Sequence, residues 1–242
     1  MKKYLFLYLL FFLVNDLFAQ NVQEESDNYT YEVTVGINLN TIGGLIGGGN
    51  IRYAKQISPT RYHHFSLDIC NIKHDKEEKT MSRLGSSFVP GKSNYLLMIR
   101  PQYGREFVLF KKSGDQGVQI NWLISAGPTI GLLAPYMIWY EYPNKSRVQE
   151  QYDPAKHTSF NAIFQTGSLG ESFARTQFKI GASLKSSFLF EVGMFKNNVF
   201  AVEVGGMIDA MNEKMILMPL AENDQILTSA FVTLSWGGRK TN

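Results

Sequence analysis

Cysteine is nearly missing: Cys70 is the single one in 242 residues, which excludes an intramolecular disulfide and a thiolate metal cluster. A lone thiol in an apolar, strand-like stretch reads as a small core residue, not a nucleophile. Long apolar runs are missing too. Past the N-terminus none approaches the roughly 18 residues of a spanning helix, so a helical membrane protein is excluded. Nor is there an excess of one charge: 24 basic residues stand against 21 acidic ones. Without a clustered basic face, no nucleic-acid partner is expected. The four histidines (His63, His64, His74, His157) lack the cysteine or carboxylate spacing of a zinc site. The run "GGLIGGG" lacks the GK[ST] ending of a phosphate loop and precedes no helix pattern, which argues against a nucleotide. No metal and no cofactor is expected. "NYT" and "NKS" match the glycosylation sequon only formally.

The one apolar run that does exist is at the start. Lys2 and Lys3 precede "YLFLYLLFFLV", and a small residue, Ala19, stands at a cleavage position before Gln20. This is the layout of a secretory signal peptide over 1–19, too short for a membrane anchor and followed at once by polar sequence. Its removal takes Lys2, Lys3 and Asp16, so 24 and 21 charges become 22 and 20, a net charge of about +2. A short segment, 20–28, then leads into a domain over 29–242.

What fills that domain is alternation. In "YTYEVTVGINLN" (29–40) Tyr29, Tyr31, Val33, Val35, Ile37 and Leu39 alternate with Thr30, Glu32, Thr34, Gly36 and Asn38. Such a period of two is the mark of a strand with two unlike faces. It recurs over 45–57, 61–73, 94–110, 117–132, 178–194, 199–210 and 226–237. Leu45, Ile51 and Tyr53 oppose Asn50 and Arg52; Phe65 and Leu67 oppose His64, Ser66 and Asp68; Phe188 and Phe190 oppose Lys185 and Glu191. Eight strands of about 12 to 17 residues exceed the roughly 5 to 6 usual in soluble domains and suffice for the ~9 to 11 needed to cross a bilayer.

The connections alternate in length. "SPT", "KKSGDQ" and "KNN" are tight polar turns, whereas "HDKEEKTMSRLGSSFVPGKS", the tract from Glu141 to Gln177 and "MNEKMILMPLAEND" are long. Only "NTIGG", the first of the four loops at that end, is short; the tract from Glu141 to Gln177 is the third loop and "MNEKMILMPLAEND" the fourth. Short turns at one end, long loops at the other and an even strand number describe an all-β, eight-stranded antiparallel up-and-down transmembrane barrel. The polar face sets its orientation. It holds Glu32, Arg52, His64, Asp68, Arg100, Glu106, Lys185, Glu191 and Glu203, which a barrel interior accepts and a soluble apolar core does not. These residues are expected to form a network filling the lumen, with Glu32 directed toward Arg52 or another cation and His64 hydrogen-bonded there. The apolar face turns to lipid, with Tyr29, Tyr31, Tyr53, Tyr95, Tyr103, Trp122 and Trp236 as candidates for interfacial girdles. The cell outer membrane is the expected location, and its lipid and lipopolysaccharide the expected surroundings.

The C-terminal part carries "FQTGSLGESFARTQFKIGASLKSSFLFEVG", "VFAVEVGGMIDAMNEKMILMPL" and "ILTSAFVTLSWGGRK". This layout over about 163–240 resembles the small, mostly uncharacterised outer-membrane barrels of Bacteroidota, of OmpA/OmpX-like architecture. The resemblance implies a barrel in the outer membrane and brings no catalytic residues. The chain departs from many proteobacterial barrels in lacking a terminal aromatic residue.

Two stretches remain as candidate sites. His64, Ser66 and Asp68 in "HHFSLD" resemble the His-x-Ser pair with an acidic partner of some eight-stranded lipid A deacylases. Residues two apart on a strand lie about 6 to 7 Å apart, too far for a direct nucleophile–base hydrogen bond. No catalytic residue is therefore assigned. Met215, Ile216, Leu217 and Met218 offer an adaptable apolar surface for a protein partner, or a strand extension packed on the third long loop. The aromatic third loop would cap the barrel, bind a partner or contact lipopolysaccharide sugars. The reading is a non-enzymatic outer-membrane barrel. The alternatives are a barrel enzyme acting on lipid A or phospholipid, and a soluble periplasmic barrel with its faces reversed around an apolar ligand.

Overall fold

A computed structural model describes residues 29–111, 117–144, 146–192 and 198–241. The segment 1–19 expected to be a signal peptide, the segment 20–28, most of two polar turns (112–116 and 193–197) and the side chain of Leu45 lie outside the described residues.

Eight long strands build the fold: β1 (Tyr29–Asn40), β2 (Gly44–Ser58), β3 (Arg61–Ile72), β6 (Asn94–Phe110), β7 (Val118–Pro135), β11 (Gln177–Val192), β12 (Asn198–Met211) and β13 (Ile226–Thr241). Between them lie a short hairpin, β4 (Thr80–Met81) with β5 (Ser87–Phe88), and β8 (Met137–Glu141), β9 (Arg147–Gln151) and β10 (Ile163–Thr166). One helix, α1 (Leu169–Ala174), is capped by the Ser168 side chain, which accepts from Gly170 N. No helix among the described residues is long and apolar enough to cross a membrane, which says nothing of the strands.

The long strands pair antiparallel in the order β1-β13-β12-β11-β7-β6-β3-β2 and close, β2 pairing with β1. The chain is an all-β, eight-stranded antiparallel closed barrel. Closure leaves no unpaired edge, so every strand finds its ladder hydrogen bonds on both sides. The long strands coincide with the eight alternating segments. β13 continues past 237 to Thr241 and β7 past 132 to Pro135.

The polarity is inverted relative to a soluble domain. Val33, Val35, Ile37, Ile51, Phe65, Leu184 and Phe188 point outward and are 39 to 55% exposed. Glu32, Arg52, Asp68, Arg100, Glu106, Lys185, Glu191 and Glu203 point inward and are at most 4% exposed. This arrangement overturns the reading with an apolar ligand inside.

Two girdle candidates are corrected. Tyr29 points inward and is fully buried, stacked on Tyr62 with ring centroids 4.3 Å apart. The pairing of β1 with β13 shifts register between Tyr29 and Tyr31, and such a bulge turns the preceding side chain to the other face. Tyr95 is half-buried beneath the loops, edge-on to Tyr136 at 5.1 Å. Tyr31, Tyr53, Tyr103 and Trp236 do stand exposed on the outer wall, and Trp122, half-buried, donates to Ser186 Oγ at 3.1 Å.

The interior is layered. At the short-turn end Tyr29, Ala54 and Tyr62 form one apolar cluster and Leu123, Leu189, Val199 and Ala201 another. The charged network follows. At the long-loop end an apolar lid closes the mouth, made by Cys70, Ile72, Leu96, Met98, Leu133 and Met211 with Met215, Leu217 and Met218.

Candidate functional site

Two regions concentrate polar chemistry: the charged interior and the headpiece of the long loops. In the interior, Arg52 on β2 bridges Glu32 on β1 and Glu106 on β6, each at 2.5 Å. Glu106 also accepts from Asn121 Nδ2 at 2.5 Å and from the Tyr29 hydroxyl at 3.4 Å. Arg239 pairs with Glu32 (3.1 Å) and Glu191 and lies over the Tyr29 ring at 4.6 Å. Further up, Lys185 on β11 pairs with Glu203 at 3.0 Å and faces Asp68 of β3 at 3.8 Å. Ser187 donates to Glu203 at 2.6 Å, and Asn50 to Asp68 at 2.8 Å. Arg100 on β6 makes a bidentate pair with Asp209 on β12, both bonds 2.8 Å, and Thr129 adds a third donor to that carboxylate.

Two ion pairs, Arg100 with Asp209 and Lys185 with Asp68, join strands three apart in the barrel order and so span the interior, β6 lying three places from β12 and β3 three from β11. The strands of Arg52 and Glu106 stand two apart. A fork of donors matched to a carboxylate is the strong form of such a contact. The network acts as a set of cross-braces. Of the charged residues that carry it, Asp209 and Arg239 were not among the sequence candidates. Asp209 already stood on the polar face of its segment, and Arg239 continues the inward phase of Thr233 and Ser235.

His64 is buried with its ring against Gly104; a Cβ at that glycine would stand 2.5 Å from His64 Cε1, so the absent side chain makes room for the imidazole. The expected hydrogen-bonded cluster around it is not formed. Neither His64 Nδ1 nor Ser66 Oγ has a protein hydrogen-bond partner among the described residues, because alternate residues on one strand stand side by side and do not face each other. The pair thus lacks the contact that would activate a nucleophile. No group of three or more His, Cys, Asp or Glu among the described residues is set to hold a metal ion.

Met215, Leu217 and Met218 are not an exposed surface. They are 1, 4 and 8% exposed in the lid, and only Ile216 is open, at 37%. The correction has a physical cause: the inward positions near the outer strand ends are apolar (Ile72, Leu96, Met98, Leu133), and the fourth long loop folds down to cover them. Asn223 holds that fold, its amide oxygen accepting from Leu217 N and Met218 N and its nitrogen donating to the Met218 and Ala221 carbonyls. Ser93 N donates to the Leu217 carbonyl at 2.8 Å, which ties the loop to its neighbour.

Above the lid, β8, β9 and β10 form a small sheet, and Phe88, Tyr136, Ile138, Tyr140, Tyr152 and Ile163 pack into a core of their own. A polar cleft of about 530 Å³ opens between the loops, lined by Ser93, Asn94, Glu150, Gln151, Asp153 and Lys156 among others. Burial pushes Lys92 below the ordinary lysine value although Glu77 holds it at 2.7 Å. Burial likewise raises the Glu150 carboxyl, but hydrogen bonds from Lys156 and Tyr142, with the His157 ring 3.2 Å away, outweigh it and bring Glu150 down to about 2.

A carboxylate depressed in the folded state stabilises fully above its ordinary value of about 4.3, and that contribution is lost as the pH falls toward the folded value. The near-UV circular dichroism of the headpiece tyrosines is therefore expected to hold from neutral pH to about 5 and to fall between about 4.5 and 2. Glu150→Gln should remove most of that fall; an unchanged acid transition in the variant would contradict the assignment.

The fold and its interior define a class: a small closed barrel of eight antiparallel strands, braced inside by ion pairs and walled outside by apolar side chains. No family model matches the chain, and no curated protein sequence is similar to it. Among solved structures, the attachment invasion locus protein Ail of Yersinia pestis is 10% identical, with a TM-score of 0.41 and 86% of this chain and 97% of that one covered. Ail in complex with the heparin analogue sucrose octasulfate gives 9% and 0.39 over the same shares. Neisserial surface protein A gives 8% and 0.36 over 88% of this chain and 96% of that one.

Proposed function

We propose that the chain is a non-enzymatic outer-membrane barrel, exported by a signal peptide at 1–19, with a short periplasmic segment 20–28 and a barrel domain from 29 to 242. Its interior is filled, and its headpiece faces outward to bind a partner or to support the envelope. The observation that carries this is the inverted polarity: exposed Val33, Val35, Ile37, Ile51 and Phe65 outside, buried ion pairs inside. Such a wall is stable against hydrocarbon and unfavourable against water. The polar headpiece cleft supports a polar partner there, such as a sugar or a protein loop.

Heat-modifiable migration on gels after extraction from the outer membrane tests the reading; recovery in the soluble periplasmic fraction would overturn it. A lipid-soluble label should reach cysteines placed at Val33 and Val35 and miss one placed at Thr34. Val35→Arg is expected to lower the stability of the bilayer-inserted barrel by about 2 to 4 kcal/mol, the range for a cation facing the bilayer midplane.

A further inference from the structure

The strand charges are sorted by face. Every described strand carboxylate of the barrel is buried inside, whereas Lys55, Arg61, Arg105 and Lys240 are exposed on the outer wall. None of these four cations has an acidic partner among the described residues. They are also gathered on one side. Cross-strand pairing runs Lys240 to Tyr31, Tyr31 to Lys55, Lys55 to His63 and His63 to Arg105, a continuous outward row over β13, β1, β2, β3 and β6. On the opposite wall β7, β11 and β12 present apolar and aromatic residues at the same end, such as Ile120, Phe188 and Phe200.

We propose that this row binds the phosphates of anionic phospholipids, a reading that rests on the barrel being in a membrane. The ladder spacing of about 4.8 Å puts Lys240 and Lys55 about 10 Å apart, and Lys55 and Arg105 the same, which gives room for two phosphates side by side. Between them stand groups that can also donate. Tyr31 lies beside Tyr53, and His63 is joined by its Nδ1 to the Tyr103 hydroxyl at 2.5 Å, which fixes the ring. The occupant is a lipid and not a soluble anion because the cations are set into an apolar wall: Ile57 stands exposed beyond Lys55, and Leu109 beyond Arg105. A cation in such a wall requires a counterion that can share it, and a headgroup phosphate with acyl chains beside the strands is one.

The full-length protein, folded into phosphatidylcholine vesicles, tests this with spin-labelled phosphatidylglycerol and spin-labelled phosphatidylcholine as probes. Phosphatidylglycerol is expected to associate preferentially by about five-fold, the gain of one effective Lys or Arg near an anionic surface. Lys55→Gln with Arg105→Gln and Lys240→Gln should abolish the preference, and Lys55→Arg with Lys240→Arg should keep it. The single variant Arg105→Gln, which should reduce it, serves if the triple variant does not insert. Equal association of the two lipids with the inserted wild type, or an undiminished preference in the glutamine variants, overturns the site. So does displacement by inorganic phosphate at an ionic strength matched with chloride. A wild-type chain that shows no heat-modifiable shift and does not insert overturns the membrane reading instead.

Discussion

Replacing Arg52 with Met is expected to lower the stability of the folded barrel by about 3 to 5 kcal/mol, the loss typical when one partner of a buried ion pair is removed. Arg52 is the shared partner of Glu32 and Glu106, so a single change leaves both carboxylates without their closest cation. Glu32 keeps Arg239, while Glu106 retains, among the described residues, the Asn121 amide and the Tyr29 hydroxyl. The triple change Arg52→Met, Glu32→Gln and Glu106→Gln should recover much of the loss, because neutral amides no longer demand a counter-charge. Urea titration of the folded fraction in vesicles, read from the heat-modifiable band, measures both. A single variant as stable as the wild type would show that the brace contributes nothing.

Gly237→Val is expected to prevent closure, leaving most of the protein in the slow-migrating unfolded form. Gly237 faces the barrel interior on β13, opposite Thr34 on β1, which is the seam where the first and last strands meet. A Cβ there would lie 1.9 Å from the Val33 carbonyl oxygen and 2.8 Å from Thr34 Cα, and backbone atoms cannot give way as a side chain would. Gly237→Ala should already cost about 1 to 3 kcal/mol, the usual range for overpacking. Folding of Gly237→Val at wild-type yield would mean that the seam is looser than this geometry states.

The strands were legible because alternation is a local property. Glu32 between Tyr31 and Val33, or Lys185 between Leu184 and Ser186, declares its face from its immediate neighbours alone. The direction of Glu32 toward Arg52 followed as well, since adjacent hairpin strands put their inward residues side by side. Tyr29 was misread because a single bulge reverses the phase, and a bulge leaves no mark in a run of alternating residues. The methionines of the fourth loop stayed open between an exposed surface and a packed one for another reason. An apolar cluster in a loop looks the same whether it awaits a partner or covers the protein's own strand ends.

By itself the sequence determined the number of barrel strands, the inward side of Glu32, Arg52, Asp68, Arg100, Glu106, Lys185, Glu191 and Glu203, and the end that carries the long loops. A period of two and the polarity of each residue suffice for that. Only the tertiary structure decided which charges meet. Arg100 finds Asp209, Lys185 finds Glu203 and Asp68, and Arg239 reaches Glu191, contacts set by closure and by the stagger of strands distant in the chain. It alone also sealed the mouth with Met215 and Leu217, since burying an apolar rim depends on where a loop can reach once the barrel has closed.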